Sequence, residues 1–307
     1  MGKRAVVDED HQLPRVTGTV PLRDGRELAF AEFGDPKGHP VLWLHGTPGS
    51  CRQVAPAAVR AAHRHGLRII GVARPGAGES TRAKYANVAS FVPDAEQLAD
   101  QMGLDRFAVV GLSGGGPYTL ALGALLTSRV VGLAVLGGVA PTVGVDAPEG
   151  GMLAMARRFQ SVMSVAQAPM AGTLNVLLKP LIPYGTHAVG ALKRVLPDGD
   201  RRVFEIPGMA DMFIGDLALS ITDGNGCHAM VQDVVLAGRD WGFRLADVQV
   251  PVHWWHGDED WCIPLEHGQW CADRLPEAKF HLRPGDSHLS GYAAADDVID
   301  AVAGYFA

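Results

Sequence analysis

Cysteine, long apolar runs and recognisable targeting signals are scarce or missing in this chain of 307 residues. The sequence has four cysteines, and it contains neither a Cys-x-x-Cys pair nor a zinc-type spacing of cysteine and histidine. We therefore expect reduced thiols and no metal site. No segment approaches about 18 uninterrupted apolar residues, and the amino-terminal stretch lacks the apolar core of a secretory signal. These absences predict no membrane span and a cytoplasmic protein.

Positive charge is also in short supply. Lys and Arg total 27 against 33 Asp and Glu, which gives a formal net charge of −6. Such a chain has no basic field to attract nucleic acid, so we expect no nucleic-acid partner.

The sequence does contain a regular alternation of strand-like and helix-like segments. Two alternating runs flank Asp24-Gly25, which predicts a β-hairpin, and a short apolar run before His45 predicts a strand buried on both faces. Further predicted strands at about 68–73, 106–111, 130–138, 250–257 and 278–283 are separated by predicted helices. This pattern predicts an α/β fold with a mostly parallel central sheet and helices on both faces. The predicted helices are Val54–His65, Pro93–Met102, Pro117–Leu126, Leu265–Arg274 and Ala293–Tyr305.

The alternation stops at about Ala140 and resumes at Val250. Between them we find helical patches at Gly151–Met163, Leu174–Leu181 and Ala188–Val195, and no clear strand. We therefore predict a flexible tail over residues 1–14, a core over 15–140 and 246–307, and an inserted helical cap over 141–245.

The most informative local pattern is Gly111-Leu112-Ser113-Gly114-Gly115, between a predicted strand and a predicted helix. It fits G-x-S-x-G, in which a sharp turn presents a serine hydroxyl and small neighbours allow the backbone to approach closely. The helix that follows directs free N–H groups and its positive dipole end toward the serine. The alternative is a packing or phosphate-binding turn, but the stretch lacks G-x-G-x-x-G and no G-K-[ST] follows it.

A serine nucleophile needs a base and an orienting acid. His288 follows the last predicted strand, where functional sites of such sheets gather. The acid is expected in the turn after the preceding strand, at Asp260 or Asp258. The chain order of serine, aspartate and histidine is the order expected of this kind of triad.

An oxyanion formed at Ser113 requires backbone donors. Gly114 N–H is one candidate, and Thr47 N–H is the second, because the small-residue loop from His45 to Ser50 follows an early buried strand. His45, Gly46 and Leu112 are expected to shape this part of the site.

These stretches together resemble the α/β-hydrolase family, in the branch whose members carry a helical cap. The resemblance covers about residues 17–306 apart from the variable cap. It favours Asp260, at the last position of His-Gly-x-x-Asp, over Asp258 as the acid. Epoxide hydrolases and haloalkane dehalogenases of this family have an aspartate nucleophile, so Ser113 argues against both of these chemistries. In the Arg-Pro-Gly stretch the chain has Ala73 where many relatives have an acid, which leaves the ion pairing of Arg74 open. The motifs that carry the resemblance are His45–Gly49, Arg74–Ser80, Ser113, His256–Asp260 and His288.

The implied function is hydrolysis of a carboxylic ester or related acyl bond through an acyl-enzyme, without a metal or organic cofactor. The apolar content of Met152–Val195, with cationic residues and few acids, predicts a small-molecule substrate that has an apolar acyl part and is neutral or acidic. A plainer interpretation is that these apolar residues pack the cap itself. The alternatives within the same fold are a lactonase, a C–C bond hydrolase, an acyltransferase and a proline-releasing aminopeptidase. The aminopeptidase needs cap acids such as Glu205, Asp211 or Asp216 to hold an amine. A catalytically silent ligand receptor is the non-enzymatic alternative.

Overall fold

A single mixed sheet forms the centre of the computed structural model, which describes residues 4–5, 13–148, 167–222 and 225–307. The strand order is β1-β2-β3-β5-β4-β6-β7-β8-β9. The pairs β1·β2, β2·β3 and β3·β5 are antiparallel, and every pair from β5·β4 to β8·β9 is parallel. The strands are β1 (Arg4–Ala5), β2 (Val16–Pro21), β3 (Glu27–Gly34), β4 (His39–Leu44), β5 (Leu67–Val72), β6 (Phe107–Leu112), β7 (Val130–Leu136), β8 (Val252–Gly257) and β9 (Ala278–Arg283).

Helices connect the parallel strands. Four of the core helices lie where the sequence predicts helices, and their ends differ from the predicted ends by a few residues. The last predicted helix is divided into two by a break at Ala294. The core helices are α1 (Pro56–Arg64), α2 (Val92–Gln101), α3 (Gly116–Leu125), α9 (Leu265–Ala272), α10 (Ser290–Ala293) and α11 (Ala295–Gly304).

The core lies in two apolar clusters, one on each face of the sheet. Residues of α2 and α3 belong to one cluster, and residues of α1 and α11 belong to the other. Successive residues of a strand point to opposite faces. Trp254 and Trp255 illustrate this, since each joins a different cluster and both are at most 2% exposed. Covering on both faces explains why central strands such as β6 and β7 are continuous apolar runs rather than alternating ones.

The interval between β7 and β8 holds the inserted helices, and its described residues include no strand. Of the predicted patches, Leu174–Leu181 overlaps α4 and the 3₁₀ turn Lys179–Tyr184, Ala188–Val195 overlaps α5, and Gly151–Met163 lies outside the described residues. The inserted helices are α4 (residues 167–178), α5 (Gly185–Leu192), α6 (Asp198–Val203), α7 (Met209–Thr222) and α8 (His228–Ala237).

The plainer interpretation of the apolar residues in this insertion is wrong for several of them. Six large apolar side chains between positions 176 and 195 are between 43% and 79% exposed, so they do not pack an interior. They are Val176, Leu177, Leu181, Tyr184, Leu192 and Val195.

Candidate active site

Ser113 occupies a tight turn between strand and helix. Strand β6 ends at Leu112, a 3₁₀ turn runs over Ser113–Gly115, and α3 starts at Gly116. Ser113 has φ +51°, and no other non-glycine residue in the described ranges has a positive φ. A side chain in this region costs about 1–3 kcal/mol, so the surrounding structure must impose the conformation.

The glycines around Ser113 are required by close packing. A Cβ on Gly115 would lie 2.5 Å from the carbonyl oxygen of Leu44 and 2.7 Å from that of His45. A Cβ on Gly111 would overlap the hydroxyl of Thr119 on α3. Any larger residue at these two positions would push the turn away from β4 or from the helix.

His288 bridges Ser113 and Asp260. The Nε2 atom of His288 lies 2.9 Å from Ser113 Oγ, and its Nδ1 atom lies 2.9 Å from Asp260 Oδ2. A carboxylate can only accept, so Nδ1 carries the proton and donates it to Asp260. That tautomer leaves Nε2 as an acceptor for the Ser113 hydroxyl.

Asp260 is the carboxylate that reaches the histidine. Its Oδ1 atom accepts the N–H groups of Cys262 and Ile263, both at 2.8 Å. Burial alone raises the pKa of Asp260, but the hydrogen bond and charge of His288 and the Ile263 N–H outweigh it, and the pKa is lowered. Asp258 is exposed, and its carboxylate accepts the N–H of Gly285 at 2.7 Å.

A second histidine supports the acid turn. The Nε2 atom of His256 lies 2.9 Å from the carbonyl oxygen of Ile263 and 3.4 Å from Asp260 Oδ2. Its Nδ1 atom accepts the indole N–H of Trp254 at 3.2 Å, which places the single proton on Nε2. Burial lowers the pKa of His256, in keeping with a neutral ring that holds the turn in place.

The two candidate oxyanion donors lie next to each other. A Cβ on Gly114 would overlap the hydroxyl of Thr47 and would lie 3.6 Å from the Thr47 nitrogen. Gly114 precedes the first hydrogen bond of the turn, which Gly116 N–H donates to Ser113, so its amide belongs to the free end of the helix. No described residue accepts a hydrogen bond from the Thr47 N–H.

His45, Gly46 and Leu112 are the residues expected to shape the site. The first two belong to the loop that carries Thr47, and Leu112 packs against that loop. A Cβ on Gly46 would lie 3.2 Å from the side chain of Leu112, so the loop rests directly on the end of β6. His45 is 1% exposed, its Nδ1 donates to the Gly46 carbonyl at 2.7 Å, and its Nε2 accepts Arg74 N–H at 3.1 Å. Burial, with the nearby Arg74 charge, lowers the pKa of His45 to about 3, so the ring is neutral and structural.

A buried ion pair that the sequence analysis did not identify underlies the same loop. Arg74 Nη2 lies 2.5 Å from Asp233 Oδ2, and both side chains are at most 6% exposed. The guanidinium also donates to the carbonyl oxygens of His45 and Gly46 and to the Thr47 hydroxyl, at 2.5, 3.2 and 3.1 Å. Asp233 comes from α8 and also accepts the hydroxyl hydrogens of Thr47 at 2.6 Å and Tyr118 at 2.8 Å.

The acid missing at Ala73 is therefore supplied by the inserted helices. Burial alone raises the pKa of Asp233, but the charge and hydrogen bonds of Arg74 outweigh it and lower the pKa. One feature of the sequence points to this residue, since Asp233 is the only acid in the mostly apolar segment His228–Ala237.

Cys227 and His228 lie at the start of an inserted helix. Helix α8 starts at His228, and the N–H of Cys227 donates to Asn175 at 2.7 Å. The described residues contain no group of three or more His, Cys, Asp or Glu that is placed to hold a metal ion. Nor does any helix within the described ranges have the length and apolar character needed to cross a membrane.

The fold and site together define an α/β protein with a serine presented at a strand-to-helix turn and a histidine and an aspartate beside it. Residues 39–292 match the family model for the alpha/beta hydrolase fold. The chain therefore belongs to the alpha/beta hydrolase fold family.

Curated relatives are similar over part of the chain. The proline iminopeptidase of Arabidopsis thaliana is 31% identical over 127 residues, which are 40% of this chain and 33% of that protein. The proline iminopeptidase of Xylella fastidiosa is 34% identical over 119 residues, 35% of this chain and 36% of that protein. The chain thus aligns with about a third of the length of these relatives.

Solved structures are similar over nearly the whole chain. An esterase from Thermogutta terrifontis has a TM-score of 0.65 at 20% identity, covering 94% of this chain and 97% of its own. The enol-lactonase from Burkholderia xenovorans LB400 has a TM-score of 0.67 at 17% identity, with coverages of 94% and 99%. At such identities the likeness establishes the fold.

Proposed function

We propose that this protein is a serine hydrolase that cleaves a carboxylic ester or related acyl bond, with Ser113, His288 and Asp260 as its catalytic residues. The observation that carries the proposal is the position of His288, which is 2.9 Å from both the Ser113 hydroxyl and the Asp260 carboxylate. A nucleophile, a base and an acid within hydrogen-bond distance are the requirements for activating a serine.

In the acylation step, Ser113 Oγ attacks the carbonyl carbon of the substrate while His288 Nε2 takes the hydroxyl proton. Asp260 holds the ring and stabilises the imidazolium that forms. The N–H groups of Gly114 and Thr47 donate to the oxyanion of the tetrahedral intermediate. Collapse of that intermediate breaks the bond to the leaving oxygen, which receives the proton from His288.

Deacylation repeats these steps with water. His288 Nε2 takes a proton from the water as its oxygen attacks the acyl carbon of the Ser113 ester. The bond to Ser113 Oγ then breaks, and the serine recovers its proton from His288. The products are an alcohol and a carboxylic acid, and no cofactor takes part.

We further propose that residues 141–245 form a cap over this site and select the substrate. The supporting contacts come from α8, whose Asp233 reaches Thr47 and Tyr118 on the core. The composition of Met152–Val195, which is apolar with cationic residues and few acids, favours a neutral or acidic substrate with an apolar acyl part.

Aminopeptidase activity of the proline-releasing type is the second candidate, because the curated relatives named above are proline iminopeptidases. Such an activity needs a free carboxylate to bind the substrate amine. Asp216 is already engaged, since its two oxygens accept the N–H groups of Ser50 and Arg52 and it is 1% exposed. This engagement favours ester hydrolysis over amine recognition by Asp216.

Covalent labelling tests the nucleophile. We expect a fluorophosphonate probe to label the wild-type protein once per chain and to leave Ser113→Ala unlabelled. Ser128→Ala is the matched control, because Ser128 is exposed and precedes the amino-terminal end of β7, whereas Ser113 follows the carboxyl end of β6. Equal labelling of Ser113→Ala and wild type would refute the assignment, and an unlabelled wild type would favour the silent receptor.

A substrate panel then separates the two hydrolytic candidates. We expect turnover of p-nitrophenyl esters with short to medium acyl chains, abolished in Ser113→Ala. Faster turnover of prolyl p-nitroanilide than of any ester would instead favour the aminopeptidase. In that event Glu205→Gln and Asp211→Asn, both exposed acids of the insertion, should be tested for a raised KM.

A further inference from the structure

We propose that three buried aspartates of the inserted helices, Asp200, Asp216 and Asp233, are positioning residues for the loops that carry the active site. The inference rests on the proposed function for the role of those loops. Each of the three carboxylates is at most 7% exposed, and each accepts hydrogen bonds from residues of the core.

Asp200 on α6 binds the loop that carries His288, the proposed base. Its Oδ1 atom accepts the N–H of Leu289 at 2.7 Å, and its Oδ2 atom accepts the hydroxyl hydrogen of Ser287 at 3.1 Å. Ser287 and Leu289 are the two chain neighbours of His288. The carboxylate thus holds the residues on both sides of His288, one by its backbone N–H and the other by its side-chain hydroxyl.

Asp200 also contacts the turn that carries Asp260, the proposed orienting acid. Its Oδ2 atom accepts the indole N–H of Trp261 at 2.9 Å, and Trp261 directly follows Asp260. One side chain therefore sets the position of His288 relative to Asp260. This matters because a displacement of about 1 Å in a catalytic group costs up to about 100-fold in rate.

The backbone of α6 is built for this contact. A Cβ on Gly199 would lie 2.5 Å from the Ser287 nitrogen, so the helix approaches the loop as closely as a glycine permits. Arg202, on the same helix, donates to the Gly285 carbonyl at 2.6 Å and lies 3.2 Å from Asp286 Oδ1.

The other two aspartates act on the loop of the oxyanion donors. Asp233 on α8 holds Arg74 and the Thr47 hydroxyl, as described above. Asp216 on α7 accepts Ser50 N–H at 2.7 Å and Arg52 N–H at 3.0 Å, at the far end of that loop. The inserted helices therefore supply fixed acceptors to the loops of the base, the acid and the oxyanion donors.

The test compares Asp200→Ala and Asp200→Asn with Asp198→Asn, an exposed acid of the same helix. Ester hydrolysis is measured well below the Tm of each variant. We expect kcat to fall up to about 100-fold in Asp200→Ala, less in Asp200→Asn, which keeps one acceptor oxygen, and not in Asp198→Asn. KM should stay within about a factor of two, because the loss lies in the transition state.

Hydrogen exchange provides a readout that does not depend on activity. Amides 286–289 should exchange faster in the two Asp200 variants than in wild type or Asp198→Asn. If wild type neither hydrolyses esters nor reacts with the phosphonate, the proposed function fails, and this exchange measurement still judges the positioning role.

A purely structural role makes a different prediction. If Asp200→Ala lowers Tm but leaves both kcat and the exchange of residues 286–289 unchanged, the inference is overturned. Should Asp200→Ala fail to fold, Trp261→Phe takes its place, since Trp261 is 61% exposed and the change removes one donor to Asp200. We expect a smaller fall in kcat in the same direction, and an unchanged kcat would overturn the inference.

Discussion

The burial of Asp216 predicts that the free energy of unfolding decreases as the pH rises toward and past neutrality. Burial is the main cause that raises the pKa of this carboxyl from 3.8 to about 7, against the hydrogen bonds from Ser50 and Arg52 that lower it. Because the folded-state pKa is the higher one, the folded protein binds more protons than the unfolded chain between about pH 4 and pH 7. The contribution of the protonated Asp216 carboxyl to the free energy of unfolding is therefore complete below about pH 4 and is lost as the pH rises through 7.

The magnitude follows from the size of the shift. About three pKa units at about 1.4 kcal/mol each amount to about 4 kcal/mol over the whole range. Of this, about 2.5 kcal/mol falls between pH 5 and pH 8. That is a large share of the about 5–15 kcal/mol that typically separates folded from unfolded proteins.

Urea denaturation at pH 5 and pH 8 measures the effect. Between these pH values the free energy of unfolding should fall by about 2.5 kcal/mol more in wild type than in Asp216→Asn, which has no charge to lose. Asp211→Asn, which changes an exposed acid of the same helix, should follow wild type. If Asp216→Asn differs from wild type by the same amount at both pH values, the carboxyl does not titrate as described.

Three other substitutions address the site and its supports. Asp260→Asn should lower kcat for ester hydrolysis by about 10⁴-fold by losing the correct histidine tautomer, while Asp258→Asn should stay near wild type. Arg74→Met leaves the Asp233 charge buried without its partner and should lower the free energy of unfolding by about 3–5 kcal/mol, measured in urea. Gly115→Ala should cost about 1–3 kcal/mol in thermal unfolding and slow phosphonate labelling, because the new Cβ meets the backbone of β4.

Each of these outcomes has its own control. Equal and mild losses in Asp260→Asn and Asp258→Asn would contradict the choice of acid. Replacing both members of the ion pair, as Arg74→Met with Asp233→Leu, should recover most of the lost stability, and a purely additive result would argue against coupling. Gly172→Ala, where a Cβ meets nothing within 4 Å, should not destabilise.

The sequence was sufficient for strands β2 to β9 and for the side chains that extend from the carboxyl ends of the parallel strands. It did not predict β1, since Arg4 and Ala5 lie in the predicted tail and instead pair with β2. Parallel strands bring their ends to one edge, so Ser113 after β6 and His288 after β9 were expected to be neighbours although they are 175 positions apart. Local signals were strong at these points, because a strained turn needs glycines and a buried strand needs a continuous apolar run.

The sequence gives much weaker indications of the aspartates that support the site. Asp233 meets Arg74 across 159 positions, and the contact depends on how α8 lies on the core rather than on any pattern near either residue. Asp200 and Asp216 are acids on helical segments, and a solvated side chain is the ordinary expectation for an acid. Only the tertiary arrangement separates them from exposed neighbours such as Asp198 and Asp211.

The insertion between β7 and β8 has a consequence for protein engineering. Its chain leaves and re-enters the sheet at adjacent strands, so grafting a different insertion would leave the strand register intact. A graft without carboxylates equivalent to Asp200, Asp216 and Asp233 would nevertheless leave core amides and hydroxyls without these acceptors and the buried Arg74 guanidinium without its carboxylate partner. Chimeras of this chain should therefore be built with those three positions retained, and the donor helices chosen to suit them.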